Sequence, residues 1–179
     1  MRKAALTKAP PWPESIFADR AIWPRLGHNV VASLSPTALG FPGLGDKTTM
    51  RLGILGSGLM GGKLGTIFAR AGHEVVFSYA RSERKLEKLA REAKGKARPG
   101  TPREAAQQAD AVLLAVHWSR LDDVLNRAGD LSGKLVVTCS LPMNDDNSDL
   151  VIAHTSSGAE ELAKRIPKAR VVSAVNTVP

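Results

Sequence analysis

The chain is short of several things, and each shortage narrows what it can be. It has a single cysteine, Cys139. No internal disulfide can form, and that economy fits a reducing, cytoplasmic compartment. Cys139 closes the apolar run Leu135-Val136-Val137-Thr138-Cys139 and reads as a buried strand residue, not a nucleophile. No apolar stretch approaches the roughly 18 residues that a membrane helix needs. The four histidines, His28, His73, His117 and His154, are scattered without a ligand spacing such as HxxxH, so no metal centre is expected. Asp145, Asp146 and Asp149 stand with Asn144 and Asn147 in what reads as a solvated turn. Ser/His/Asp catalysis lacks its nucleophile elbow.

Aromatics are missing where a nucleic acid would want them. The net charge is +8, and nine Lys/Arg lie between Arg81 and Arg103 against only Glu83, Glu87 and Glu92. No aromatic side chain interleaves them, so bases have nothing to stack on. Leu86, Leu89 and Ala90 alternate with these charges as the buried stripe of a helix with a solvated face. No nucleic-acid or membrane partner is expected.

What is present falls into two parts. With 179 residues, 43% of them hydrophobic and 23% charged, the chain can bury one domain-sized core. Residues 1–49 carry Pro10, Pro11, Pro13, Pro24, Pro36 and Pro42 and no sustained period, which predicts a disordered or loosely packed extension. No apolar h-region follows Arg2 and Lys3, so a secretory signal is a poor fit. Met50, at the boundary, is a candidate native start.

From Met50 onward short apolar runs alternate with amphipathic ones. Strands are predicted at 51–55, 74–78, 111–116, 135–138 and 171–175, and helices at 59–71, 84–93, 101–108, 121–128 and 160–166. Thr101-Pro102-Arg103-Glu104 forms a capping box with proline at the first helical position. Gly72 sits where a glycine ends a helix. Continuous apolar strands separated by helices specify a doubly wound parallel α/β sheet, covered on both faces, over residues 50–179.

The first strand runs straight into Gly56-Ser57-Gly58-Leu59-Met60-Gly61, which opens a helix. Gly56 permits the tight turn, Gly58 admits a diphosphate close to backbone, and Gly61 lets helix and sheet approach. The helix N-terminus supplies unpaired N–H groups and a positive dipole end. In this strand–turn–helix setting the motif specifies a Rossmann-type dinucleotide site. Which dinucleotide is decided at the end of the second strand, where NAD enzymes place a carboxylate on the ribose hydroxyls. Here the chain reads Ser78-Tyr79-Ala80-Arg81-Ser82, with no acid before Glu83. Hydroxyls and a guanidinium suit the 2′-phosphate of NADP(H). Lys85, one turn on, is either a further charge for that phosphate or a solvated helix cation.

With these residues in view, 50–179 resembles the coenzyme F420-dependent NADP oxidoreductase family (F420H2:NADP+ oxidoreductase), which is related to the N-terminal domains of pyrroline-5-carboxylate reductases. Four stretches carry the resemblance: Arg51 to Gly61; Gly72-His73-Glu74-Val75-Val76 with Ser78 and Arg81; Val112 to Trp118; and Val171 to Pro179. It implies that Ser57, Gly58, Leu59 and Met60 line the pyrophosphate. It places Ser78, Arg81 and Lys85 at the 2′-phosphate, and Val116, His117, Ala174 and Asn176 around the nicotinamide. The implied activity is hydride transfer between NADP(H) and coenzyme F420 or another small acceptor, which needs positioning more than acid–base help. No catalytic side chain is therefore assigned. Members commonly have proline at the position of His117, and they continue for several tens of residues beyond the Asn-Thr-Val-Pro-like turn. This chain reads either as a truncated member or as one whose remainder is supplied by another chain, and a truncated sheet edge would favour homo-oligomers. Two other functions fit the same residues: an NADP-binding module without catalysis, or a reductase of the pyrroline-5-carboxylate type lacking its helical dimerisation domain.

Overall fold

The computed structural model describes residues 49–152 and 154–175. Apart from Thr49, the extension expected over 1–49 lies outside the described residues, as do 176–179. β1 (Arg51–Leu55) leads through the glycine turn into α1 (Leu59–Arg70), then β2 (Glu74–Ser78) and α2 (Glu83–Ala93). A short β3 (Ala97–Pro99), α3 (Pro102–Gln108) and β4 (Ala111–Leu114) follow. α4 (Leu121–Ala128), β5 (Leu135–Thr138), α5 (Gly158–Arg165) and β6 (Arg170–Ser173) complete the domain. All strand pairs are parallel, and the order is β3-β2-β1-β4-β5-β6. This is the doubly wound Rossmann arrangement, whose order reverses between β1 and β4.

Alternate residues of each strand feed two cores. Ile54, Val75, Phe77 and Leu113 pack with Ala69 of α1 and with Leu86 and Ala93 of α2. Leu55, Val112, Leu114 and Val136 face α3, α4 and α5 through Ala105, Ala106, Leu121, Val124 and Leu162. Most of these side chains are fully buried, each worth roughly 1.5–3 kcal/mol for the larger aliphatics and Phe. Close approach is built from missing side chains: a Cβ on Gly53 would lie 2.1 Å from the Ala105 carbonyl oxygen of α3.

The expected capping box opens α3 at Thr101 and Glu104, and a second box, at Ser157 and Glu160, opens α5. Three local expectations are corrected. β3, which has no apolar run, exists because Ala97, Arg98 and Pro99 pair with Val75, Val76 and Phe77; Pro99 is tolerable on an edge strand. β4 stops at Leu114, and Ala115 to His117 leave the sheet for the cleft described below. Cys139 lies one residue beyond β5 and is half-buried, its Sγ 3.7 Å from the Leu114 carbonyl oxygen. Burial pushes its thiol above the ordinary range, away from the nucleophilic thiolate. No helix of the described residues is long and apolar enough to cross a membrane.

Candidate functional site

A cleft of ≈ 1010 Å³ opens at the carboxyl ends of β1, β2 and β4, where ligands bind doubly wound sheets. Its floor is the glycine turn. Gly56 has φ +107°, and a Cβ there would lie 2.4 Å from the Ala115 carbonyl oxygen. A Cβ on Gly61 would lie 2.0 Å from the Gly56 carbonyl oxygen, so this helix–turn contact exists only with glycine. At Gly58, by contrast, a Cβ would meet nothing within 4 Å. The protein leaves that space open on the cleft side.

The first backbone hydrogen bond at the start of α1 runs from Gly62 N to Gly58 O at 3.0 Å. Helix geometry therefore leaves the amides of Leu59, Met60 and Gly61 without acceptors inside the helix. Gly58 caps without a side chain, and the first turn holds no acidic residue. An anion meets N–H groups and no opposing carboxylate on this turn. The cradle fits a diphosphate. Leu59 lines the cleft and is 78% exposed; Met60 is also exposed but is not among the residues that line the cleft.

The two serines expected at the ligand turn inward. Ser57 is fully buried, its Oγ–H donating to the Ser78 carbonyl oxygen at 2.8 Å. Ser78 is also fully buried, and its Oγ–H donates to the Ile54 carbonyl oxygen at 2.7 Å. Both hydroxyls knit the β1 turn to the end of β2, so Ser78 Oγ serves this seam and not the cleft. The Gly56 and Ser57 amides add bonds to the Ser78 and Tyr79 carbonyls.

Beyond this seam the arm Ala80-Arg81-Ser82 rises to α2. Arg81 is exposed, lines the cleft, and has no hydrogen-bond or ion-pair acceptor among the described residues. Ser82 is the N-cap of α2 but makes no side-chain cap bond. Lys85 lines the same wall. Tyr79 lines the cleft too and is tied to α4: its hydroxyl donates to Asp123, and the Arg127 guanidinium lies 5.7 Å from its ring centroid. Burial and the Asp123 bond raise the Tyr79 phenol, while that bond and Arg127 hold the Asp123 carboxyl below its ordinary range.

Carboxylates also border the cleft, at Glu83, Glu87, Glu104 and Asp123. Glu104 is held by Thr101, which lowers its pKa. Glu87 lies 3.9 Å from Arg91, and Asp123 is bonded to Tyr79 and Arg127. Glu83 occupies the first turn of α2, where the dipole favours it.

Val116 and His117 line the end of the cleft beside β4. The Ser119 amide donates to His117 Nδ1 at 3.3 Å. The ring proton is then on Nε2, where Asn147 Oδ1 accepts it at 3.1 Å. Its one proton is committed to a loop, which suits positioning more than proton transfer. Ala174 follows β6, its amide bonded to the Thr138 carbonyl. Asn176 lies outside the described residues. Among the described residues no group of three His, Cys, Asp or Glu could hold a metal. Arg120, Asp123 and Arg127 were not singled out from sequence. Asp123 stands 44 residues from Tyr79, and no local pattern links them.

A doubly wound sheet with an open anion cradle at its switch point defines a Rossmann-type, dinucleotide-binding class of domain. The sequence pattern described as NADP oxidoreductase, coenzyme F420-dependent, matches residues 51–142, just over half of the chain. The chain belongs to that family.

Among solved structures, it is similar to a protein from Arthrobacter sp. FB24 provisionally described as an F420-dependent NADP reductase. The two share 23% identity over 73% of this chain and 64% of the other, with a TM-score of 0.64, a likeness of fold. A hypothetical protein from Sinorhizobium meliloti has 25% identity over 73% of this chain and 63% of its own, also with a TM-score of 0.64. The chain thus spans less than two thirds of the length of either. A pyrroline carboxylate reductase from Plasmodium falciparum with NADP bound matches at 12% identity and TM-score 0.40, over 71% of this chain and 58% of that one.

Proposed function

We propose that residues 50–179 bind NADP(H) and act as an oxidoreductase, exchanging hydride with a small acceptor for which coenzyme F420 is the first candidate. The observation behind this is the pairing of an unobstructed anion cradle at Gly58 with an exposed Arg81 on the adjoining wall that has no acceptor among the described residues. When bound, the nicotinamide supplies the hydride chemistry. The chain's own part is to hold it. The amides at the start of α1 would take the diphosphate. Arg81 would take the 2′-phosphate in a charge-assisted bond, with Lys85 adding charge. Val116 and His117 would flank the reactive end, with Ala174 and Asn176 expected nearby. The hydride step itself moves no proton, and the proton that balances the acceptor's reduction is taken from solvent, so a committed His117 is compatible with it. The reading also places the protein in the cytoplasm, with a small molecule as its second substrate.

NADPH fluorescence titration of wild type against Arg81→Ala tests the cofactor. Wild type is expected to prefer NADPH over NADH, and the variant to lose about ten- to hundredfold in NADPH affinity while NADH is unchanged, the worth of one charge-assisted pair. Equal affinity of wild type for both nucleotides sinks the assignment. Oxidation of NADPH by the deazaflavin, followed by absorbance, tests the acceptor. Tight NADPH binding with no turnover on F420 or any small acceptor would leave a binding module.

A further inference from the structure

The strongest unassigned arrangement joins the arm that carries Arg81 to a helix on the far side of the cleft. Tyr79 is the first residue after β2 and has φ +54°, a left-handed conformation that a side-chain-bearing residue keeps only when its surroundings hold it. Three attachments do so. Its carbonyl accepts from the Ser57 amide of the phosphate turn at 3.1 Å. Its ring packs against the core shared with α3 and α4. Its hydroxyl donates to Asp123, whose other oxygen accepts from Arg127 Nε at 3.0 Å. From Tyr79 only Ala80 separates Arg81, and at the far end Ser82 makes no cap bond. Among the described residues, no side-chain hydrogen bond from Ala80, Arg81 or Ser82 holds the arm. Ala80 packs against the core beneath α1 and α2, and the Ser82 carbonyl accepts from the Lys85 amide at 3.2 Å, so the arm is held at both ends; the Tyr79 hydroxyl is its side-chain hydrogen bond to α4.

We propose that Asp123 and Arg127 of α4, acting through Tyr79, are positioning residues that hold Arg81 where a 2′-phosphate can be gripped, so that α4 takes part in discriminating NADPH from NADH. The inference rests on the cofactor reading above. The Asp123–Arg127 pair is largely exposed, and such pairs contribute little alone. The bond from the Tyr79 hydroxyl to the carboxylate is the stronger link. Preorganisation of this kind shows in the ligand that uses Arg81 and leaves the diphosphate cradle untouched.

The test titrates NADPH and NADH against wild type, Tyr79→Phe, Asp123→Ala, Asp123→Asn and the Tyr79→Phe/Asp123→Ala double variant. Tyr79→Phe keeps the ring and its packing. It is expected to lose about tenfold in NADPH affinity, with NADH within about twofold. Asp123→Ala, at a half-buried position of α4, should match it, and the double variant should be no worse than either single, as expected of one shared interaction. Asp123→Asn keeps an acceptor oxygen and should retain most of the preference. If wild type prefers NADPH and both Tyr79→Phe and Asp123→Ala preserve that ratio, or weaken both nucleotides equally, the positioning role is overturned and the cofactor reading stands. A wild type without preference overturns both.

Discussion

Two neighbouring loops at the same end of the sheet are built by opposite means. The turn between β1 and α1 works with backbone: at Gly56 and Gly61 a Cβ would collide with carbonyl oxygens, and at Gly58 the space is open. The arm between β2 and α2 works with side chains: Arg81 is exposed on the cleft wall, and Tyr79 reaches across to Asp123. A cradle of amides accepts any diphosphate, whereas a guanidinium on a held arm selects among them. If the proposed site holds NADP(H), affinity and discrimination lie on different loops, and substitutions should separate them.

The largest effect is expected from Gly61→Ala. Its Cβ would lie 2.0 Å from the Gly56 carbonyl oxygen, so α1 must shift. A loss of about 1–3 kcal/mol is expected by thermal or denaturant unfolding, together with binding of both nucleotides. Wild-type stability in that variant would break the idea that the turn is fixed by contact. Gly58→Ala should act differently. With nothing within 4 Å of its Cβ, its stability should stay within about 0.5 kcal/mol of wild type, while NADPH and NADH both weaken by roughly tenfold as the diphosphate loses its approach. Should binding persist unchanged, the ligand does not lie on this turn. The smallest effect belongs to Lys85→Ala, an exposed cation one helical turn beyond Arg81. It should cost NADPH about two- to threefold at low salt and nothing near 1 M, where the Debye length is about 3 Å. Salt-independent loss would mean a direct bond like that expected of Arg81.

The backbone-built loop was legible in the sequence because its information is local. Three glycines at fixed spacing after an apolar strand can be read without knowing what lies opposite, and the parallel sheet followed from the same alternation. The side-chain-built arm was legible only in part. Its residue types were evident, but Ser78 turned out to bond Ile54 across β1, and Tyr79 to bond Asp123 across the cleft. Both partners are set by the fold, so no local pattern announces them. β3 escaped for a related reason: Ala97-Arg98-Pro99 has no apolar signal, and it is a strand only because β2 offers it a pairing edge. Cys139 was expected inside a strand and lies just past it, where the sheet stops but the apolar run continues.

The position of β1 at the middle of the sheet has a consequence for how the domain is made. Its one flank is taken by β2, some twenty residues later, but the other waits for Ala111–Leu114, which leaves the ribosome only after β3 and α3. Until then the central strand has an open row of donors and acceptors beside half a hydrophobic layer. Closing that row spans a long loop, the slow step in sheets of this kind. Synthesis speed over the segment between β2 and β4 should therefore govern the yield of native protein, since an unpaired strand edge in a nascent chain is where misassembly begins.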